Sequence, residues 1–150
     1  QYLIILAYYM PLMNSAGGNT GSQSATMVIR AIALGQLTSH DIINVIKKEF
    51  IVSLMIGVSV GLLVFGRVML APTGHAGIPP EIWIGKIALM ISMALAVQVI
   101  WATVLGALIP VVANKVKIDP AVVSSPAIAT FVDIGGIAIY FTTAKLVLGI

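Results

Sequence analysis

The sequence has no cysteine, and only 9% of its residues are charged. The first absence excludes a disulfide framework, a thiolate metal site and a thiol nucleophile. The second excludes an ordinary soluble domain, in which about 25% of residues carry charge. Basic clusters are also missing despite a pI near 9.4, so nucleic-acid binding is not expected. His40 and His75 each stand alone in a polar connecting stretch. No Ser/His/Asp set, HExxH pattern or phosphate-binding loop is present, and an enzyme is not expected. Acidic residues are scarce as well: Asp41, Glu49, Glu81 and Asp119 fall where hydrophobicity breaks, and Asp133 alone lies inside a long apolar run.

What is abundant is apolar. Hydrophobic residues make up 59% of the chain and the mean hydropathy is +1.09. Uncharged stretches of about 20 residues suit membrane-crossing helices rather than a barrel. The expected fold is therefore all-α, a polytopic transmembrane helix bundle with four crossings in a single domain over residues 1–150. The first crossing spans 1–36 as a long helix, kinked or partly broken at SAGGNTGSQS. An amphipathic connector follows at 38–49, with Thr38 or Ser39 as N-cap. The second crossing covers 50–70 and ends at the Pro- and Gly-rich turn APTGHAGIPP. The third runs from about Ile82 to Val112, with Asn114 ending the helix, and the fourth covers 121–149. The chain opens on Gln1 within an apolar stretch, with neither an initiator methionine nor a basic leader, and reads as a piece of a longer protein whose preceding helix lies outside it.

Arg30, Lys47, Lys48, Lys115 and Lys117 flank the first and third connections, whereas Arg67, Lys86 and Lys145 mark the opposite side. This bias predicts that the first and third connections are cytoplasmic, in a multi-pass protein of the plasma membrane. Trp83 suits an interfacial anchor, and Trp101 lies deeper, as packing.

An ionised carboxylate at mid-bilayer depth costs ~2.5–3.5 kcal/mol even on the lenient insertion scale, which makes Asp133 a functional residue by default. At ~1.5 Å rise per residue it lies about 20 Å along its helix from Asp119. Helical spacing places Pro126, Ala129, Thr130, Asp133, Gly136, Ile137 and Tyr140 on one broad face. The bland alternative is an ion pair with Arg67 or Lys86, or a protonated acid. On the first segment, Asn19, Thr20, Ser22, Gln23 and Ser24 accompany the glycines, and such oxygen-rich chemistry suits a hard cation or its water shell. Gly17 and Gly21 also match the small-xxx-small pattern of close helix packing. Gly57 and Gly61 have the same spacing without polar company and read as packing alone. Gln98 and Ser92 are positioned to bond across helices.

The run Pro11-Leu-Met-Asn-Ser-Ala-Gly-Gly-Asn-Thr-Gly-Ser-Gln23, followed by Val28-Ile-Arg-Ala31 and Ala33-Leu-Gly35, resembles the signature of the MgtE family of magnesium transporters. Asp119-Pro-Ala121, Ser124, Pro126, Thr130 and Asp133 resemble that family's last membrane helix. The resemblance implies a homodimer with a Mg²⁺-selective pore along its axis. Asp133 of each subunit would hold a hydrated Mg²⁺, aided by backbone carbonyls at Ala129, Gly17 and Gly18. Asn19, Thr20, Gln23, Pro126, Thr130 and Gly136 would line the pore. It further implies five crossings per subunit, and cytoplasmic regulatory domains that these residues do not contain. The expected function is Mg²⁺ transport, with a proton-coupled carrier titrating at Asp133 as the alternative and a purely structural membrane subunit as a third reading. The expected partners are a second copy of the chain, Mg²⁺ as the transported ion, and the lipid bilayer.

Overall fold

In a computed structural model of the chain, described over residues 2–37, 41–70 and 83–149, every regular element is an α-helix. They are α1 (Tyr2–Ala33), α2 (Ile42–Leu70), α3 (Ile84–Lys115) and α4 (Pro120–Leu148). By length and composition α2, α3 and α4 can each cross a membrane. α1 is as long as α3 but carries the polar run 14–24. The Pro- and Gly-rich turn, both histidines, Glu81 and the Thr38 and Ser39 caps lie outside the described residues.

The ends follow local chemistry. Asp119 caps α4 by accepting a hydrogen bond from the Ala121 N–H at 2.9 Å, and Pro120 occupies the first helical position, where no N–H is needed. Gly149 closes the same helix in the left-handed conformation, at φ 73°. α3 runs to Lys115, so Asn114 falls within its last turn rather than ending it.

Two boundaries differ from the sequence reading. The connector and the second crossing form one helix from Ile42, because nothing between Ile42 and Ile56 is a glycine or a proline that would interrupt it. α1 is not broken at its glycines either. Thr20 donates to the Ala16 and Gly17 carbonyls at 3.0 and 3.2 Å, and Thr26 donates to the Ser22 carbonyl at 2.8 Å. These hydroxyls are satisfied within the helix, and burial of Gly17 and Gly21 offsets their weak helix propensity.

α3 is the central post: α1, α2 and α4 all pack against it, and α1 also packs against α4. α2 crosses α3 with Gly57 and Gly61 facing the Ala96 and Ser92 backbone carbonyls. α1 meets α3 where Gly106 faces the backbone of Gly21. Small residues at these crossings let the main chains approach closely and exchange dispersion contacts over a wide seam. The apolar core has two clusters. The larger includes Met13, Met90, Ile91, Leu95 and Tyr140, and the smaller is formed by Ala25, Ala102, Ile128 and Val132. Contacts of α1 residues 17 and 21 with α3 residues 98 and 102 show that α1 and α3 run in the same direction, with α2 and α4 opposed. Arg30, Lys47, Lys48, Lys115 and Lys117 therefore gather toward one end of the bundle, and Arg67, Lys86 and Lys145 toward the other.

Candidate functional site

α4 buries a narrow row, one residue in four: Ser124, Ile128, Val132, Gly136, Tyr140 and Ala144. That spacing advances 400° in four steps of 100°, so the row drifts slowly round the helix and leaves a wide face uncovered. Pro126, Ala129, Thr130, Asp133 and Ile137 are exposed on it. Gly136 and Tyr140, grouped with this face by helical spacing, turn inward instead: Gly136 meets the Gln98 side chain, and Tyr140 joins the larger core cluster. The seven share an arc of about 120°, but the buried row drifts about 40° with every four residues, so by Gly136 and Tyr140 it has come round onto the edge of that arc.

Asp133 is exposed in the single chain, and among the described residues no hydrogen bond or ion pair engages it. Arg67 and Lys86, the alternative partners, are themselves exposed elsewhere on the bundle. Its neighbour Val132 is fully buried and touches the positions that side chains at Gly17 and Gly21 would occupy. Asp133 thus stands at the level where α1 and α4 pack together. Thr130 returns its hydroxyl to the Pro126 carbonyl at 3.0 Å.

On α1 the polar run divides between two surroundings. Asn19, Ser22 and Gln23 are exposed, and with Thr26 and Met27 they line an open recess. Gly18 faces open space, whereas Gly17 is buried against Gln98 and Val132. Thr20 is half-buried with its hydroxyl committed to its own helix. Ser24 is buried and donates to Glu49 on α2 at 2.8 Å. A cleft of about 200 Å³ runs between α1 and the first turns of α4, lined by hydroxyl groups of Ser22, Thr26, Ser124 and Ser125 and by apolar neighbours.

Nowhere among the described residues do three or more His, Cys, Asp or Glu side chains gather into a metal-binding group. One chain therefore brings a single carboxylate to the exposed α4 face, with Ala129 and Thr130 one turn before it and the apolar Phe131, Ile134 and Ile137 also exposed nearby.

The family model described as divalent cation transporter, MgtE, matches residues 10–143. This chain belongs to the MgtE family. Among relatives, the magnesium transporter MgtE of Thermus thermophilus is 36% identical over 143 residues, covering 95% of this chain and 29% of its own length. The Bacillus subtilis magnesium transporter MgtE is 33% identical over 146 residues, covering 96% of this chain and 30% of its own length. That of Enterococcus faecalis is 29% identical over 144 residues, with 95% and 29% covered. The chain thus spans under a third of the length of these MgtE relatives, and the match includes both the glycine-rich run of α1 and Asp133 of α4.

Gln98 is the residue whose placement the sequence reading left open. It does bond across helices, from α3 to the Val132 carbonyl of α4 at 3.0 Å. Ser92 does not: its hydroxyl donates to Ala88 of its own helix at 2.7 Å. The signal for Gln98 was present in the sequence, as an amide deep in an apolar run with glycines on two other segments to receive it. Trp83 is exposed at the start of α3, and Trp101 packs its indole against Gly135.

Proposed function

We propose that this chain forms the ion-conducting membrane part of a Mg²⁺ transporter of the plasma membrane. In this reading two copies face each other across a two-fold axis, with the exposed faces of α1 and α4 lining a pore between them. The carrying observation is Asp133, a carboxylate within an apolar helix, exposed and without a polar partner among the described residues. A charge placed there facing lipid is costly, and facing a water-filled path it is not.

Symmetry gives the pore two carboxylates from one per chain. Mg²⁺ dehydrates reluctantly, so a ring wide enough to take the ion with its waters needs oxygen acceptors rather than tight direct ligands. Asp133 supplies the charge, and the carbonyls near Ala129 and Gly18 accept hydrogen bonds from the water shell. Asn19, Gln23, Pro126 and Thr130 line the path on either side. Thr20 borders it, with its hydroxyl turned back to the helix. Gly17 and Gly136 support it from behind, since both face Gln98.

The test is Mg²⁺ uptake by the full-length protein in proteoliposomes, comparing wild type with Asp133→Asn at matched amounts of folded protein. Loss of uptake is expected. Wild-type uptake in the variant defeats the assignment, and flux driven by a pH gradient in the absence of Mg²⁺ transfers it to a proton-coupled carrier.

A further inference from the structure

Gln98 has no solvent exposure and sits between the two apolar clusters of the core, on the post against which the other helices pack. Its Nε2 donates to the Val132 carbonyl, while its Oε1 is buried without a hydrogen-bond partner. Both neighbouring helices make room for it. A β-carbon at Gly17 or at Gly136 would collide with the amide. Methionine or leucine would fill such a space without a polar atom to satisfy. An amide that leaves an acceptor orphaned in the core is a poor device for stability. Its usefulness lies in direction, because a hydrogen bond fixes rotation where smooth apolar packing tolerates several arrangements.

The peptide that Gln98 grips is the one joining Val132 to Asp133. Among the described side-chain hydrogen bonds, this is the one that ties α4 to another helix. Residues 132 and 133 are one step, 100°, apart round α4, so any roll of that helix on α3 moves the carboxylate by the same angle. We propose that Gln98 is a positioning residue for Asp133: its amide locks the roll of α4 and thereby sets where the carboxylate meets the ion. This rests on the ion-pathway reading given above. Gln98 does not touch the ion; it acts through the backbone of α4. Gly17 and Gly136 are glycines because the amide occupies the space their side chains would need.

The experiment uses the full-length protein in proteoliposomes, with Mg²⁺ and Ca²⁺ flux measured against concentration for wild type, Asp133→Asn, Gln98→Met, Gly136→Ala and the double variant of the last two. Gln98→Met keeps the volume and removes the donor. The expected result is unchanged saturating Mg²⁺ flux per folded protein, with the half-saturating concentration raised about fivefold, the equivalent of one ordinary hydrogen bond. Discrimination against Ca²⁺ falls with it. Gly136→Ala reaches the same contact from α4 by displacing the amide, and is expected to shift both readouts in the same direction. It also carries the test if Gln98→Met fails to fold. The double variant should show no more than the larger single effect, because both changes break one interaction. Wild-type half-saturation and ion preference in folded Gln98→Met and Gly136→Ala overturn the proposal, as do strictly additive shifts, which indicate two independent packing defects. Both outcomes leave the ion-pathway reading standing so long as Asp133→Asn abolishes flux. Wild-type flux in Asp133→Asn removes that reading, and this proposal with it.

Discussion

Gly17 and Gly21 on α1 have the spacing of Gly57 and Gly61 on α2, and both pairs are buried against α3, the first also touching α4. What separates the two helices is the rest of their circumference. Around Gly57 and Gly61 the uncovered positions are Leu54, Met55, Ile56, Val58, Leu62 and Leu63 with one hydroxyl, Ser59, which donates to the Met55 carbonyl of its own helix at 2.8 Å, a surface fit for hydrocarbon. Around Gly17 and Gly21 they are Ser15, Asn19, Ser22 and Gln23. A small-residue spacing therefore says that a helix packs closely and nothing about what its other side meets. The difference between α1 and α2 lies in side chains outside the shared motif, and the proposed ion path pairs the exposed α4 face, with Asp133, with the polar face of α1.

The largest effect is expected at the carboxylate. Asp133→Asn is expected to lower Mg²⁺ flux about 100-fold or more, since a unit charge a few ångströms from a divalent ion contributes on the order of 3 kcal/mol in a partly screened site. Its melting temperature should stay near wild type, because the residue makes no described polar contact. Next in size is the α1–α3 seam. Gly106→Ala drives a methyl into the Gly21 backbone, and unfolding in detergent should show a loss of about 3 kcal/mol, with flux falling in step with folded protein. Gly57→Ala sharpens the contrast with α1. Its β-carbon would come within 2.9 Å of the Ala96 carbonyl oxygen, for a loss of about 1–2 kcal/mol in the same assay and no change in flux per folded molecule. The smallest effect has the opposite sign. Gly18→Ala meets nothing within 4 Å and should stabilise by roughly 0.4–1 kcal/mol through helix propensity and the unfolded chain, read as a raised melting temperature. The same substitution would thus destabilise α2 and stabilise α1, according to which side of the helix it occupies.

Much of this was legible in the sequence, for identifiable reasons. Long apolar runs separated by Pro, Gly and charge located α2, α3 and α4 to within a few residues, apart from the start of α2. There, the amphipathic stretch containing Lys47 and Lys48 continues the helix, because a change in polarity is not a helix stop. The glycine-rich stretch of α1 looked breakable by propensity alone. Tertiary burial of Gly17 and Gly21, together with hydroxyls that bond back to their own helix, keeps it continuous. On the exposed face of α4, Asp133, Ala129, Thr130 and Pro126 were grouped correctly by periodicity. Gly136 was not, since periodicity gives an angle and the amide of Gln98, on another helix, decides the edge of the face. The acceptor of the Gln98 amide is the main-chain carbonyl of Val132, so the glycines that make room for the amide are legible in the sequence but the bonding partner is not.

Proline adds an accounting of backbone oxygens. Pro11, Pro110 and Pro126 lie inside α1, α3 and α4, and α2 has none in its interior. Each removes the N–H that would serve the carbonyl four residues earlier, at Ala7, Gly106 and Val122. Pro110 is buried, but Pro11 and Pro126 lie on the surface, as do Ala7 and Val122. An oxygen deprived of its donor is tolerable against water or another chain and costly against lipid tails. The two helices with exposed prolines are the two that carry the polar faces, and the helix clothed in Leu, Val and Met keeps its ladder intact. Backbone valence thus favours, without reference to any side-chain charge, the side of the bundle to which the proposed reading assigns the ion path, beside α1 and α4 rather than α2.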